Sequence, residues 1–158
     1  MSLYNVLVFL HLVATFFLVG GLTVQRLGLM LIRSASHGAE ALGAFRTYSV
    51  SPKLIAPSGA LTVVTGLVLA WQIGYSWRAL WVSASVVLLV ALEIWRAVVV
   101  PLVKRLQAAA AQAATDPAAH GGALMEAARQ PRFHWGYLGI ELTNTVILAL
   151  MVFKPMAL

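Results

Sequence analysis

The sequence predicts an all-α membrane protein whose four transmembrane helices form an antiparallel bundle with both termini outside. Of the 158 residues, 61% are hydrophobic and only 10% are charged. A soluble domain of this size covers its surface with polar groups, so this composition excludes that class. A helix needs about 20 apolar residues to cross about 30 Å of hydrocarbon. Four segments of one transmembrane domain meet this need, at about 3–26, 54–74, 79–100 and 135–154.

The distribution of Lys and Arg predicts the orientation of the bundle. Only Arg78 and Lys154 lie near the outer helix ends, whereas the other nine basic residues lie in or beside the connections 27–53 and 101–134. Cytoplasmic loops carry the excess of positive charge in membrane proteins. We therefore expect both connections to be cytoplasmic loops in a bacterial inner membrane, with periplasmic termini. The nine residues are Arg26, Arg33, Arg46, Lys53, Arg96, Lys104, Arg105, Arg129 and Arg132.

The net charge of +6 fits this topology and an attraction to anionic lipid. Nucleic-acid binding is excluded because the basic residues are split between two loops without interleaved aromatic residues. The chain has no cysteine. Disulfides, thiolate ligation of haem, Cys-ligated iron–sulfur clusters and covalent c-type haem attachment are excluded as well.

Helix 1 contains a histidine, His11, in the apolar run 3–19. An ionisable ring inside a membrane span costs free energy and marks a candidate functional site. Imidazole is also the commonest protein ligand for metals and haem iron. The three other histidines, His37, His120 and His134, fall in loops or at a helix mouth. His11 is therefore the candidate metal and cofactor ligand.

Two interpretations of His11 are open. In the first, the ring hydrogen-bonds a backbone group or a Thr hydroxyl and only tightens packing. In the second, it is an axial ligand of a b-type haem held between facing helices. The sixth position of the iron would then be empty, or filled by water, by Met151 or by His11 of a second protomer.

Small residues predict where neighbouring helices could pack closely against helices 1 and 2. Gly20 and Gly21 of helix 1 would admit a neighbouring helix. Helix 2 is expected to begin near Pro57, because the first turn does not use the missing amide proton. Its face of small residues is formed by Gly59, Thr62 and Gly66.

Helices 3 and 4 carry acidic residues at similar predicted depth. Glu93 and Arg96 are three residues apart and fall on one helix face. Glu141 lies at a comparable depth in helix 4. The cluster is interpreted either as a salt-bridge network between helices or as a proton path or polar mouth for a substrate. Its further members would be Asn144, Arg26 and Lys53.

Two further features belong to the ends of the predicted spans. Leu106–Ala114 is expected to prolong helix 3, Asp116 and Pro117 to break it, residues 120–122 to turn, and 123–129 to form a short helix. An outer belt of aromatic residues is expected at Trp71, Tyr75, Trp77 and Trp81.

Parts of helices 1, 2 and 4 resemble the HemJ-type membrane protoporphyrinogen oxidases. The similar segments are residues 10–12 with 20–21 and 26–27, residues 56–62 with 66–67, and residues 140–143 with 152–155. The family's lysine early in helix 3 has no counterpart in 81–86, and its proline after the helix 4 glutamate is Thr143 here. The resemblance implies a haem b bound through His11. It also implies oxidation of protoporphyrinogen IX, with electrons passed to the respiratory chain.

The resulting hypothesis is a haem-b-binding redox protein of the inner membrane. It would transfer electrons or oxidise a porphyrinogen-like substrate, with Glu93 and Glu141 handling protons and Arg96 holding their charge. The expected partners are the lipid bilayer, a porphyrin or quinone-linked acceptor, and further copies or subunits of a membrane complex. The alternative is a cofactor-free accessory or structural subunit of such a complex. A copper-handling protein is disfavoured because the Met residues are scattered.

Overall fold

The computed structural model describes residues 2–72, 74 and 79–153, and this part of the chain is folded into five α-helices. Four of the helices are long and apolar enough to cross a membrane, and no strand occurs among the described residues. The predicted all-helical class and the number of candidate spans are thus confirmed. The helices are α1 (Leu3–Ser34), α2 (Gly38–Gln72), α3 (Leu80–Thr115), α4 (Pro117–Arg129) and α5 (Pro131–Phe153), with α4 as the short one.

The first predicted loop is mostly helical. Helix α1 continues to Ser34 and α2 begins at Gly38, so the loop expected within 27–53 shrinks to residues 35–37. The expectation that Pro57 occupies a first turn is also wrong, because Pro52 and Pro57 both lie inside α2. A proline within a helix removes one hydrogen bond and clashes with the preceding turn. Here the packing of α2 on α1 outweighs that local cost.

Helices α1 and α2 touch through glycine. A Cβ atom on Gly28 would lie 2.7 Å from the backbone of Tyr48, and one on Gly21 would lie 2.8 Å from the Cγ1 atom of Ile55. Both glycines are buried and bring the two backbones together. The predicted close approach is therefore right for Gly21, whereas Gly20 faces open space and contributes nothing to it.

The second predicted loop is also helical. Helix 3 does extend to Thr115, and Asp116 does end it, as expected. The Asp116 carboxylate then caps α4 by accepting hydrogen bonds from the amides of Ala118 and Ala119 at 3.0 and 3.1 Å. The expected turn at 120–122 is wrong, since these residues are part of α4.

Gly121 explains why that segment stays helical. A Cβ atom on Gly121 would lie 2.1 Å from the Cα atom of Gly38, so α4 and the start of α2 cross in backbone contact. The end of α4 is joined to the end of α1 by two arginines. Arg33 donates to the carbonyl of Ala128 at 2.7 Å, and Arg129 donates to the carbonyl of Arg33 at 3.0 Å. Each guanidinium thereby satisfies a carbonyl that a helix end leaves without an intrahelical partner.

The densely packed core lies at the end of the bundle that carries α4, which we call the α4 end. All five helices contribute to it. Large apolar side chains elsewhere point outward, as expected for helices that face lipid: Phe16 is 74% exposed and Val87 is 67% exposed. The largest fully buried side chains of the core are Ile32, Tyr48, Leu106, Leu124 and Phe133.

The structure describes two of the four residues that were predicted to form the aromatic belt, Trp71 and Trp81. Trp71 is exposed and suits an interfacial position. Trp81 is buried and faces the inside of the bundle, so its assignment to the belt is wrong. Tyr75 and Trp77 lie outside the described residues, as do the two basic residues near the outer ends, Arg78 and Lys154.

Candidate functional site

The His11 ring lies on the seam between α1 and α2. Its Nδ1 atom is 3.0 Å from the hydroxyl oxygen of Thr65. Thr15, one turn along α1, donates its hydroxyl to the His11 carbonyl at 2.8 Å. The ring is half-buried and Thr65 is buried. The expected contact between His11 and a Thr hydroxyl is present, and it ties helix 1 to helix 2.

The hydrogen bonds around Thr65 favour one tautomer of His11. The Thr65 hydroxyl has one proton, which it donates to the Leu61 carbonyl at 2.6 Å. The Thr65 oxygen is therefore the acceptor for the Nδ1–H group of His11. A neutral imidazole that is protonated at Nδ1 carries its lone pair on Nε2, the arrangement found in many metal-ligating histidines.

Gly66 makes room for the ring. A Cβ atom on Gly66 would lie 3.1 Å from the Cε1 atom of His11 and 3.6 Å from Nδ1. The same helix face carries Thr62, whose buried hydroxyl has no hydrogen-bond partner within the described part of the chain. The side of the His11 ring that faces α2 therefore meets small or hydroxyl-bearing residues, namely Thr62, Thr65 and Gly66.

Beside this seam lies a cavity of about 760 Å³, bounded by α1, α2, α3 and α5. Its volume falls within the range of about 300–1,000 Å³ that is typical of small-molecule and cofactor sites. Thr62 and Gly66 form part of its wall, whereas His11 is not among its lining residues. The wall is mainly aliphatic, and it also includes Trp81, Ser85, Glu93, Arg96, Asn144 and Met151.

The structure divides the predicted polar cluster into two ion pairs. Arg96 donates to Glu93 at 2.9 Å, and both residues line the cavity together with Asn144. Glu141 instead pairs with Arg26, which links α5 to α1, and it is not part of the cavity wall. Lys53 is exposed and joins neither pair.

The remaining histidines do not gather around a common centre. His37 is exposed and its Nδ1 accepts the amide of Glu40 at 3.3 Å, near the start of α2. His120 is exposed on α4, and exposed His134 packs edge-on against Trp135. Within residues 2–72, 74 and 79–153, no three His, Asp or Glu side chains are grouped as a metal site.

Sequence comparison places the whole bundle in one family. Residues 5–155 match the family described as predicted integral membrane protein (DUF2269). The chain belongs to the DUF2269 family. No curated protein and no solved structure matches it. The four apolar helices and the family together make this DUF2269 chain an integral membrane protein.

The DUF2269 chain also has a buried polar contact that its sequence did not reveal. The hydroxyl groups of Tyr48 and Tyr137 are 2.5 Å apart and join α2 to α5. Gln25 of α1 also interacts with Tyr48. Gln25 lies on the same stripe of helix 1 as His11, at i+14, which was the one available signal for this network. Neither tyrosine stands out from the aromatic residues around it in the sequence.

Proposed function

We propose that the protein binds haem b in the membrane, that His11 would hold its iron, and that the protein acts in redox chemistry. The observation that carries the proposal is the hydrogen bond from His11 Nδ1 to Thr65, because it leaves the Nε2 lone pair as the donor of the ring. A hydrogen bond to the other ring nitrogen orients a ligating histidine and fixes its tautomer. The resemblance of helices 1, 2 and 4 to HemJ-type oxidases supports the same assignment.

The residues of the seam and of the adjacent cavity fit such a group in four respects. The donor is a neutral imidazole, which is a usual ligand of haem iron. Gly66 has no side chain beside the ring, and Gly66 itself lines the cavity of about 760 Å³. The Thr62 hydroxyl in the cavity wall lacks a partner within the described residues, and a buried polar group of this kind calls for one. Arg96, also in that wall, has the charge to pair with a haem propionate.

The haem would supply one-electron transfer between two oxidation states of its iron. The chain's own residues would orient and shield it. Thr65 holds the ring of His11, and the aliphatic cavity wall excludes water. Both predicted proton acceptors are in ion pairs, Glu93 with Arg96 and Glu141 with Arg26. Glu93 is the better placed of the two because it lines the cavity and Glu141 does not.

Two finer assignments are part of the proposal. From the resemblance, the substrate would be protoporphyrinogen IX or a similar porphyrinogen. From the Lys and Arg distribution, the α4 end would face the cytoplasm of a bacterial cell and the termini would be periplasmic. A homo-oligomer, or assembly into a membrane complex, would complete the electron path to a quinone-linked acceptor.

The absorption spectrum of the purified protein tests the haem assignment. We expect the full-length protein, expressed with sufficient haem and purified in detergent, to show a Soret band that His11→Ala abolishes. His134→Ala is the matched control because His134 is exposed at the start of α5, and it should keep the band. Thr65→Val should retain haem but shift the spectrum, since the ring loses its orienting acceptor.

A colourless wild-type protein would refute haem binding, and a Soret band that survives in His11→Ala would refute His11 as the ligand. The oxidase assignment has a separate test, namely growth of a strain that lacks its own protoporphyrinogen oxidase. Expression of this chain should restore growth and the His11→Ala variant should not. Failure of the wild-type chain to restore growth removes the oxidase assignment and leaves haem binding to be judged by the spectrum.

A cofactor-free accessory subunit is the second candidate. It is favoured by the position of His11 outside the cavity wall and by its contact with Thr65, which satisfies Nδ1 without any ligand. In that case, His11→Ala would lower the stability of the bundle, and the wild-type protein would be colourless.

A further inference from the structure

A separate groove of about 490 Å³ lies between α3 and α5 at the α4 end. Trp95 and Trp135 both line it, together with the exposed side chain of Val98. The Trp95 indole donates a hydrogen bond to the Gly136 carbonyl at 2.9 Å, which fixes one wall of the groove to α5. The groove is therefore preformed and open toward the outside of the bundle.

Two guanidinium groups also line this groove. Arg105 belongs to α3 and Arg132 to α5, and both are exposed. Neither has a hydrogen bond or an ion pair with any residue that the structure describes. The chain has 11 basic and only 5 acidic residues, so most of its cations lack an acidic partner. An apolar groove with two unpaired cations is complementary to a ligand that combines an acyl chain with a phosphate.

The depth of the groove in the membrane also fits a ligand with an acyl chain and a phosphate. The predicted membrane spans end near residue 100 in α3 and begin near 135 in α5. Arg105 is five residues past that end, or about 7.5 Å at about 1.5 Å per residue. Arg132 is three residues before Trp135, about 4.5 Å along α5. Tryptophan is enriched at the membrane–water interface, so the two Trp residues lie near the headgroup level and the arginines just beyond it.

We propose that this groove binds an anionic phospholipid, with an acyl chain along Trp95 and Val98 and the headgroup phosphate paired with Arg105 and Arg132. Arginine presents a fork of donors that matches phosphate oxygens. Basic pockets between membrane helices bind anionic lipid headgroups elsewhere for the same reason. The site is independent of His11 and of the cavity between α1, α2, α3 and α5.

Native mass spectrometry of the full-length, delipidated protein tests the site. We expect phosphatidylglycerol to bind more tightly than phosphatidylcholine with the same acyl chains. Arg105→Gln and Arg132→Gln should each weaken phosphatidylglycerol binding about fivefold, and the double variant about thirtyfold, as expected for cations near a membrane surface. Replacement of both residues by Lys should restore most of the preference, because the charges return.

The matched control is the double variant Arg46→Gln/Lys53→Gln, which removes two exposed positive charges outside the groove. It should bind phosphatidylglycerol like the wild type. Equal loss in the control and in the groove variant would refute a specific site, as would equal binding of the two lipids by the wild type. Displacement of the lipid by millimolar glycerol phosphate would overturn the proposal in favour of a free-phosphate site. A changed oligomeric state in the groove variant, with lipid binding intact, would instead identify the groove as an interface between copies.

Discussion

The His11 ring is positioned by one hydrogen bond and by one absent side chain. Thr65 accepts from Nδ1, and Gly66 leaves space at the Cε1 edge. We expect Gly66→Ala to displace the ring, because its Cβ atom would lie 3.1 Å from Cε1. Overpacking of this kind costs on the order of 1 kcal/mol. Thermal unfolding in detergent should show the loss, and the haem-loaded protein should show a shifted Soret band.

Gly59→Ala is the control for this prediction. Gly59 lines the same cavity from the same helix, but a Cβ atom there would meet only the Cδ1 atom of Leu18, at an ordinary 3.8 Å. The variant should therefore absorb like the wild type, with a stability that is unchanged or higher by up to about 1 kcal/mol. If Gly66→Ala and Gly59→Ala behave alike, the glycine at 66 has no part in placing the ring.

The sequence identifies His11 as a candidate ligand, but it does not predict which residues contact the ring. His11 stands out because a polar ring interrupts an apolar run, which is a local property of the chain. Its acceptor Thr65 is 54 residues away, and Tyr48 and Tyr137 are 89 residues apart. No local pattern pairs such residues, because helix packing decides which of many Thr and Tyr side chains meet. The separation of Glu141 from Glu93 has the same origin.

Among the helices, α1 and α2 pack by backbone contact, and Gly28 is the tightest point between them. A Cβ atom there would lie 2.7 Å from both the N and Cα atoms of Tyr48, which cannot rotate away. We expect Gly28→Ala to push the helices apart and to lower the free energy of unfolding by about 1–3 kcal/mol. Gly20→Ala faces open space and should be neutral or stabilising by up to about 1 kcal/mol.

Unfolding of both glycine variants by denaturing detergent, followed by circular dichroism, measures the difference. Equal stability of the two would contradict backbone contact at Gly28. The Tyr48–Tyr137 hydrogen bond supplies an internal check, because separation of α1 from α2 also disturbs the side chain of Tyr48. A change in tyrosine absorbance near this buried pair should therefore accompany Gly28→Ala only.

The lengths of the helices were the least predictable part of the fold. Composition locates the apolar spans, because hydrocarbon thickness sets a minimum length. It does not locate the helix ends, since α2 continues through Pro52 and Pro57 and α4 includes two consecutive glycines. Local preferences would end a helix at such residues. They are outweighed here where a fully buried side chain such as Tyr48, or a close glycine contact such as Gly38 with Gly121, stabilises the longer helix.

In the molecule as a whole, the bundle is densely packed at the α4 end and contains a cavity farther from that end. The core residues cluster where α4 meets the other helices, whereas the cavity is bounded by α1, α2, α3 and α5 without α4. A bundle of four apolar helices could be predicted from the sequence. The cavity could not be predicted, because its size depends on the spacing between the helices. That spacing is set at one end of the bundle, where α4 and the Arg26–Glu141 ion pair hold the helices together.

The proposed orientation of this bundle can be tested directly because the chain has no cysteine of its own. Gln72→Cys at the end of α2 and Ala119→Cys on α4 both replace exposed residues, and the two positions lie at opposite ends of the bundle. The excess of basic residues near α4 favours the cytoplasm for that end. In intact bacteria, a membrane-impermeant maleimide should therefore label Gln72→Cys and not Ala119→Cys, and permeabilisation should expose both. The reverse labelling would invert the topology, and it would also place Arg105 and Arg132 in the leaflet opposite to the one that their charge predicts.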